Sequence, residues 1–183
     1  MSYAINTEDI IRLFGLQGVV LFPRETKPVD PGTSSSVEFL QDVGLPHDDL
    51  FLSRIDTTAP DKDPVRLAER FAARQRPCPP GAENWLALGY FLDSLLAFDP
   101  ASARVYAFPD GTDRHLLMHR NVESLVYALC ALQEFHAERD STEDEEALAQ
   151  AMRAQIEEFD ALPFVDPISE WNIIYEEIIQ GEW

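Results

Sequence analysis

The chain has 183 residues and a hydrophobic fraction of 45%, enough for one ordinary domain to bury a core without disulfide staples. Its 14 Lys+Arg against 33 Asp+Glu give a formal net charge of −19, which disfavours direct binding of nucleic acid or an anionic membrane and favours a basic partner. No stretch reaches the roughly 18 apolar residues of a membrane-spanning helix, and MSYAINTEDIIRLFG lacks the basic-then-apolar order of a secretory signal.

The charge is unevenly placed, with fourteen acidic and two basic side chains in residues 138–183. Cys78 and Cys130 lie far apart with no metal-ligand spacing, which fits a reducing compartment, and the cytoplasm is the expected location. Cys130 falls in an apolar helical stretch and reads as a buried thiol.

In chain order, Asn6 or Thr7 caps a first helix through Ile10, Ile11, Leu13 and Phe14 that Gly15 stops. GVVLF at 18–22 reads as a short buried strand, and the prolines of 23–34 as a loop. Ser35 and Glu38 have capping-box spacing at the head of a helix that Gly44 and Pro46 end. LFLSRI at 50–55 reads as a strand, and Asp63-Pro64 opens a short helix through Leu67 and Phe71. RPCPPG at 76–81 breaks the chain again.

NWLALGYF, DSLLAF, ARVYAF and HLLM then follow one another across the short turn signals LD, DPAS and PDGTD. This predicts a meander of antiparallel strands, with Tyr106 and Phe108 alternating against Val105 and Ala107 so that one face carries the larger aromatics. Asn121 caps a helix whose wide apolar stripe, Val122 to Phe135, suits it to lie across the sheet. Thr142 and Glu145 form a second capping-box pair, for a helix bearing Leu148, Met152, Ile156 and Phe159. Asp166-Pro167 begins the last helix, with Ile168, Trp171, Ile174, Tyr175, Ile178 and Ile179 inward and Gly181 at its end. The expected fold is one α+β domain over 1–183, with a central sheet, antiparallel or mixed, packed by flanking helices.

SSVEFLQDVGLP at 35–46 resembles the short helix and Gly-Leu-Pro turn of SUKH-type immunity proteins. LGYFLDSLLAFDPASARVYAFPDGTDRHLLMHR at 88–120 resembles the sheet core of that superfamily, and NVESLVYALCALQEF at 121–135 its capped helix. DPISEWNIIYEEIIQGEW is similar to the Asp-Pro, Trp and terminal Gly-x-Trp pattern of the fourth subgroup. The chain departs from the pattern with Glu123 in place of the more typical Ser, and with a long acidic insertion at 138–162. The resemblance covers most of 35–183. It implies a SUKH-like fold and a cytoplasmic bacterial immunity protein that needs no cofactor. Such a protein binds a toxin domain, usually a nuclease or a nucleotide deaminase, and occludes its active site. Rival readings are a non-inhibitory intracellular adaptor or an unrecognised hydrolase.

His115 and His119 have HxxxH spacing with Asp113 nearby, and residues i and i+4 of a strand share a face, so a metal pair is geometrically possible. Without further ligands they read as ordinary strand histidines rather than a zinc site. His136, near a helix end, reads as a cation complementing the dipole. Ser35-Ser36 lacks the G-x-S-x-G turn of a hydrolase nucleophile, and Cys78 lacks any catalytic signature. No catalytic residue is assigned. For partner contact the candidates are the acidic run, Glu143, Asp144, Glu145 and Glu146, together with Asp110 and Asp113 at a loop tip and the terminal Trp183. The acidic run also serves a helix N-terminus, Asp110 and Asp113 serve a turn, and Trp183 can pack back on the fold. Trp85 reads as sheet packing and Trp171 as core.

Overall fold

Two helices precede the main sheet, the first of them well capped. The computed structural model describes residues 3–22, 35–53, 66–112, 114–142 and 144–183. Helix α1, Thr7–Phe14, starts on Asn6, whose side chain accepts from the Glu8 and Asp9 amides, and ends at Gly15. Helix α2, Ser35–Asp42, ends at Gly44, whose positive φ of 90° suits glycine and lets the chain turn back. The strand read at 18–22 shrinks to β1, Val19–Val20, which pairs antiparallel with β2, Leu45–Pro46. Residue 34, which precedes α2, and Asp63-Pro64 lie outside the described residues, as does the loop at 23–34.

The meander forms as the alternation predicts. Strands β3, Phe51–Leu52, β4, Leu86–Phe91, β5, Ser94–Phe98, β6, Val105–Pro109, and β7, Leu116–His119, make a five-stranded sheet in sequential order. Every pairing is antiparallel, so the mixed arrangement does not occur among the described residues. Strand β3 is shorter than the LFLSRI run, whose end lies outside the described residues.

Each face of the sheet has its own core. One face sets Leu88, Leu96, Phe98, Val105, Ala107 and Met118 against helix α4, Val122–Arg139, on which α1 and α2 also pack. The opposite face carries Leu95, Ala97 and Phe108 under helix α3, Leu67–Ala73, which contributes Leu67 and Phe71. Trp85 stacks on Tyr106 at 4.5 Å there, so Tyr106 and Phe108 share this face as expected, although Phe51, Phe91 and Phe98 lie in the core on the α4 side.

Helix α5, Glu145–Phe159, is capped by Asp144, whose side chain accepts from the Ala147 amide. The Thr142–Glu145 capping box is therefore replaced by a cap two residues later, and Thr142 instead accepts from the Asp144 amide. Helix α6, Glu170–Gln180, starts on Ser169 rather than at Asp166-Pro167, because Asp166 and Pro167 are spent in the turn that follows a short 3-10 segment. Trp171, Ile174 and Ile178 face inward, whereas Ile168, outside the helix, and Ile179 are exposed.

Gly89 sits beside an irregularity in the β4–β5 register, where β3 approaches closely. A Cβ at this position would lie 2.7 Å from the Leu52 carbonyl oxygen and 2.9 Å from Ser53 Cα. These are backbone atoms that cannot swing aside. Gly89→Ala is expected to cost about 1–3 kcal/mol, as overpacking does, and to lower the melting temperature measured by circular dichroism.

Candidate partner-binding site

The polar groups of the core form one chain. Trp171 Nε1 donates to His119 Nε2 at 3.0 Å, so Nε2 is the acceptor and the proton rests on Nδ1. Nδ1 lies 3.0 Å from Ser124 Oγ, and Ser124 Oγ donates to Asp160 Oδ2 at 2.5 Å. Asp160 also accepts from the amides of Arg120 and Leu162. All four side chains are buried, and burial lowers the His119 pKa from 6.5 to about 3 against the opposing pull of Asp160.

The group inventory is that of a hydrolase triad, but its order is not. Ser124 stands between histidine and carboxylate and gives its proton to Asp160, so the imidazole does not act as its base. Among the described residues, buried Ser36 Oγ has no hydrogen-bond partner, so none of their basic groups activates it either. The core chain links the end of β7 and the start of α4 to the segment after α5 and to α6.

His115 and His119 do not share a face. Residues Val105 and Tyr106 pair with His119 and Leu117, which makes Met118 a bulged residue in β7. One extra residue reverses the alternation. His119 thereby turns into the helix-side core, while His115 packs with Trp85, Tyr106 and Phe108 on the other side. Among the described residues no cluster suited to a metal ion occurs.

His136 differs from the cation expected at a helix end. Burial, reinforced by Arg139, lowers its pKa, and its Nε2 accepts from Trp183 Nε1 at 3.3 Å. The terminal tryptophan packs back on the fold, stacked over His136, with its carbonyl accepting from Arg139. Glu145 pairs with the same Arg139 at 3.2 Å, and Glu146 accepts from Gln150. With Asp144 capping α5, the described members of the acidic run each have a local role as well as their charge. Asp113 and Glu143 lie outside the described residues.

Asp110 lies on a ridge between two concavities, both of which also touch Pro109, Thr112 and Arg114. On one side is a pocket of about 250 Å³ with an apolar floor that includes Phe71, Leu95 and Phe108. Arg70, Arg74, Arg76 and Arg114 line it. Asp110 pairs with Arg74 at 3.0 Å and with Arg76 at 3.5 Å, and those guanidinium groups also lie over Tyr90 and Phe71. Two of the four guanidinium groups are thus engaged with one carboxylate and with aromatic rings of the protein itself.

On the other side is a wider groove of about 720 Å³ between the β4–β5 turn, the β6–β7 turn and the start of α6. Asp49, Asp93, Asp110, Glu170 and Glu177 line it against Arg114, with Leu92, Leu116, Ile168 and Ile173 as apolar surface. Ile168 and Ile173 are 53% and 42% exposed, so among the described residues the groove combines an excess of carboxylates over its one arginine with accessible hydrophobic anchors. Of its residues the sequence reading had named Asp110 alone. A signal for the others existed: Glu170, Ile173 and Glu177 recur at i, i+3 and i+7 beside the Trp171–Ile174–Ile178 core stripe, placing an isoleucine between two carboxylates on one helix face.

The strands of the meander, the capped helix α4 and the tryptophan-bearing helix α6 are the segments that resemble SUKH-type proteins in sequence. The SUKH-4 immunity protein family model matches residues 5–177. No curated protein and no solved structure matches the chain. With the match running from α1 into α6 and including every strand of the sheet, this chain belongs to the SUKH-4 immunity protein family.

Proposed function

We propose that this protein neutralises a cognate bacterial toxin domain in the cytoplasm by seating a basic surface of the toxin in the acidic groove beside α6, thereby covering the toxin's active site. Family membership supports the immunity role, and the observation that carries the choice of surface is the groove's five carboxylates around exposed Ile168 and Ile173. Nucleases hold substrate phosphates with arginine and lysine, so a nuclease or nucleotide-processing toxin presents the complementary charge. The net charge of −19 accelerates encounter, and the acidic run at 144–146 contributes to that long-range attraction, with Asp110 at the ridge and Asp113 adding its charge. Isoleucine side chains buried on contact then slow dissociation. No cofactor and no reaction by this chain is required.

Co-expression tests the proposal. The C-terminal domain of the large open reading frame beside this gene is produced in a bacterium with and without this protein, followed by co-purification. Relief of toxicity together with a stable complex is the expected result. Toxicity unrelieved, with no complex, would remove the pairing and favour an adaptor role.

A further inference from the structure

Glu170 is only 6% exposed, yet it lines the groove and its Oε2 has no hydrogen-bond partner among the described residues. Its other oxygen, Oε1, accepts from the buried Ser94 hydroxyl, and Oε2 is itself shielded from solvent, so a partner reaches it with a small movement of the groove wall. An unpaired carboxylate oxygen in a buried position is costly, and native proteins seldom leave one without a reason.

We infer that Glu170 Oε2 is the acceptor for one arginine or lysine side chain of the partner, which enters the groove between Ile173 and the β6–β7 turn. This deepens, and rests on, the assignment of the groove as the toxin-contact surface. Three features support a cationic side chain rather than a neutral one. Asp93 and Glu177 stand on the same groove, so the surrounding field favours positive charge. The exposed Ile173 offers apolar surface for the aliphatic stem of an arginine or lysine. Burial raises the pKa of Glu170, which means that the free protein holds the carboxylate at a cost that an arriving cation relieves.

The residue therefore serves binding at some expense to the free fold. Gln at position 170 keeps the shape and removes the charge, so Glu170→Gln is expected to fold with a melting temperature at pH 7 equal to or above that of the parent. Its affinity for a cation is expected to fall by about tenfold or more, the range of a charge-assisted hydrogen bond.

The test is an amide NMR titration with N-acetyl-argininamide, using the neutral N-acetyl-citrullinamide as its isostere. The expected result is a saturable shift centred on Ser94, Thr112 and Ile173 with the arginine probe, weak with citrulline and weak in Glu170→Gln. A second readout needs no variant: the pKa of Glu170, followed by its side-chain carboxyl carbon across a pH titration, falls when the arginine probe is present. Equal binding of the two probes, equal binding by Glu170→Gln, or a Glu170 pKa that the probe does not lower would each overturn the inference. Because the probe assay uses no toxin, it separates the two claims. Arginine capture without a toxin complex removes the immunity contact and keeps the cation site. A toxin complex that Glu170→Gln binds as tightly as the parent keeps the contact and removes the cation site.

Discussion

Trp171→Ala is expected to destabilise the protein by about 3–5 kcal/mol in urea unfolding at pH 7, and Trp171→Phe by about 1–3 kcal/mol. The first change empties a fully buried position that packs on Phe91 with ring centroids 4.8 Å apart. The second keeps most of that packing but leaves His119 Nε2 buried without its donor. The same chain of hydrogen bonds sets a pH dependence. Burial lowers the His119 pKa from 6.5 to about 3, so between these values the unfolded chain binds the proton and the folded chain does not. The contribution of the neutral imidazole is full above pH 6.5 and is lost as pH falls toward 3, at up to about 1.4 kcal/mol per pH unit.

Glu170 acts with the opposite sign. Its folded pKa is raised above 4.5, so its cost appears as pH rises through that folded value. Urea titrations from pH 7 to pH 4 should show stability falling on acidification in the parent. The slope should flatten in His119→Gln and steepen in Glu170→Gln. A His119→Gln variant with the same slope as the parent would contradict a neutral, buried His119.

Reversing two groove charges, Asp93→Lys with Glu177→Lys, is expected to weaken binding of the toxin domain by about 30-fold to several thousand-fold, the equivalent of roughly 2–5 kcal/mol. Asp93 is exposed on the β4–β5 turn and Glu177 half-buried on α6, so neither substitution disturbs the core. The effect should divide between a slower association, which high salt abolishes, and a faster dissociation, which it does not. Reversal at Asp144, Glu145 and Glu146 provides the comparison. Those groups already cap α5, pair with Arg139 and bond Gln150, so their reversal should act mainly on the association rate. Surface plasmon resonance at two salt concentrations distinguishes the cases. A groove variant that binds as tightly as the parent, beside an α5 variant that does not, would move the contact to the acidic run.

Much of the architecture was legible because it rests on local rules. Asn6 and Asn121 announce their helices through side chains that accept the first free amides, and Gly15 and Gly181 close helices where the chain must leave them. The meander follows from alternation interrupted by DPAS and PDGTD, and the short connections leave adjacent strands little choice of partner. Helix boundaries were less secure where two capping residues compete. Asp144 displaced Thr142, and Ser169 displaced Asp166, because the turn before each helix takes up the earlier residue.

The sequence by itself determined the α+β class, the strand order of the meander, the acidic field and the family resemblance, all of which depend on composition or on neighbours within a few residues. Tertiary structure alone decided which way His119 points, since one bulged methionine reverses the strand, and it joined His119 to Asp160 and Trp171 from distant parts of the chain. It also decided where the acidic field becomes a site. Asp49, Asp93, Asp110 and Glu177 come from a loop, two turns and a helix, and no sequence period relates them. Their convergence is a consequence of packing α6 against the end of the sheet, where burial of Trp171 leaves Glu170, Ile173 and Glu177 along the groove.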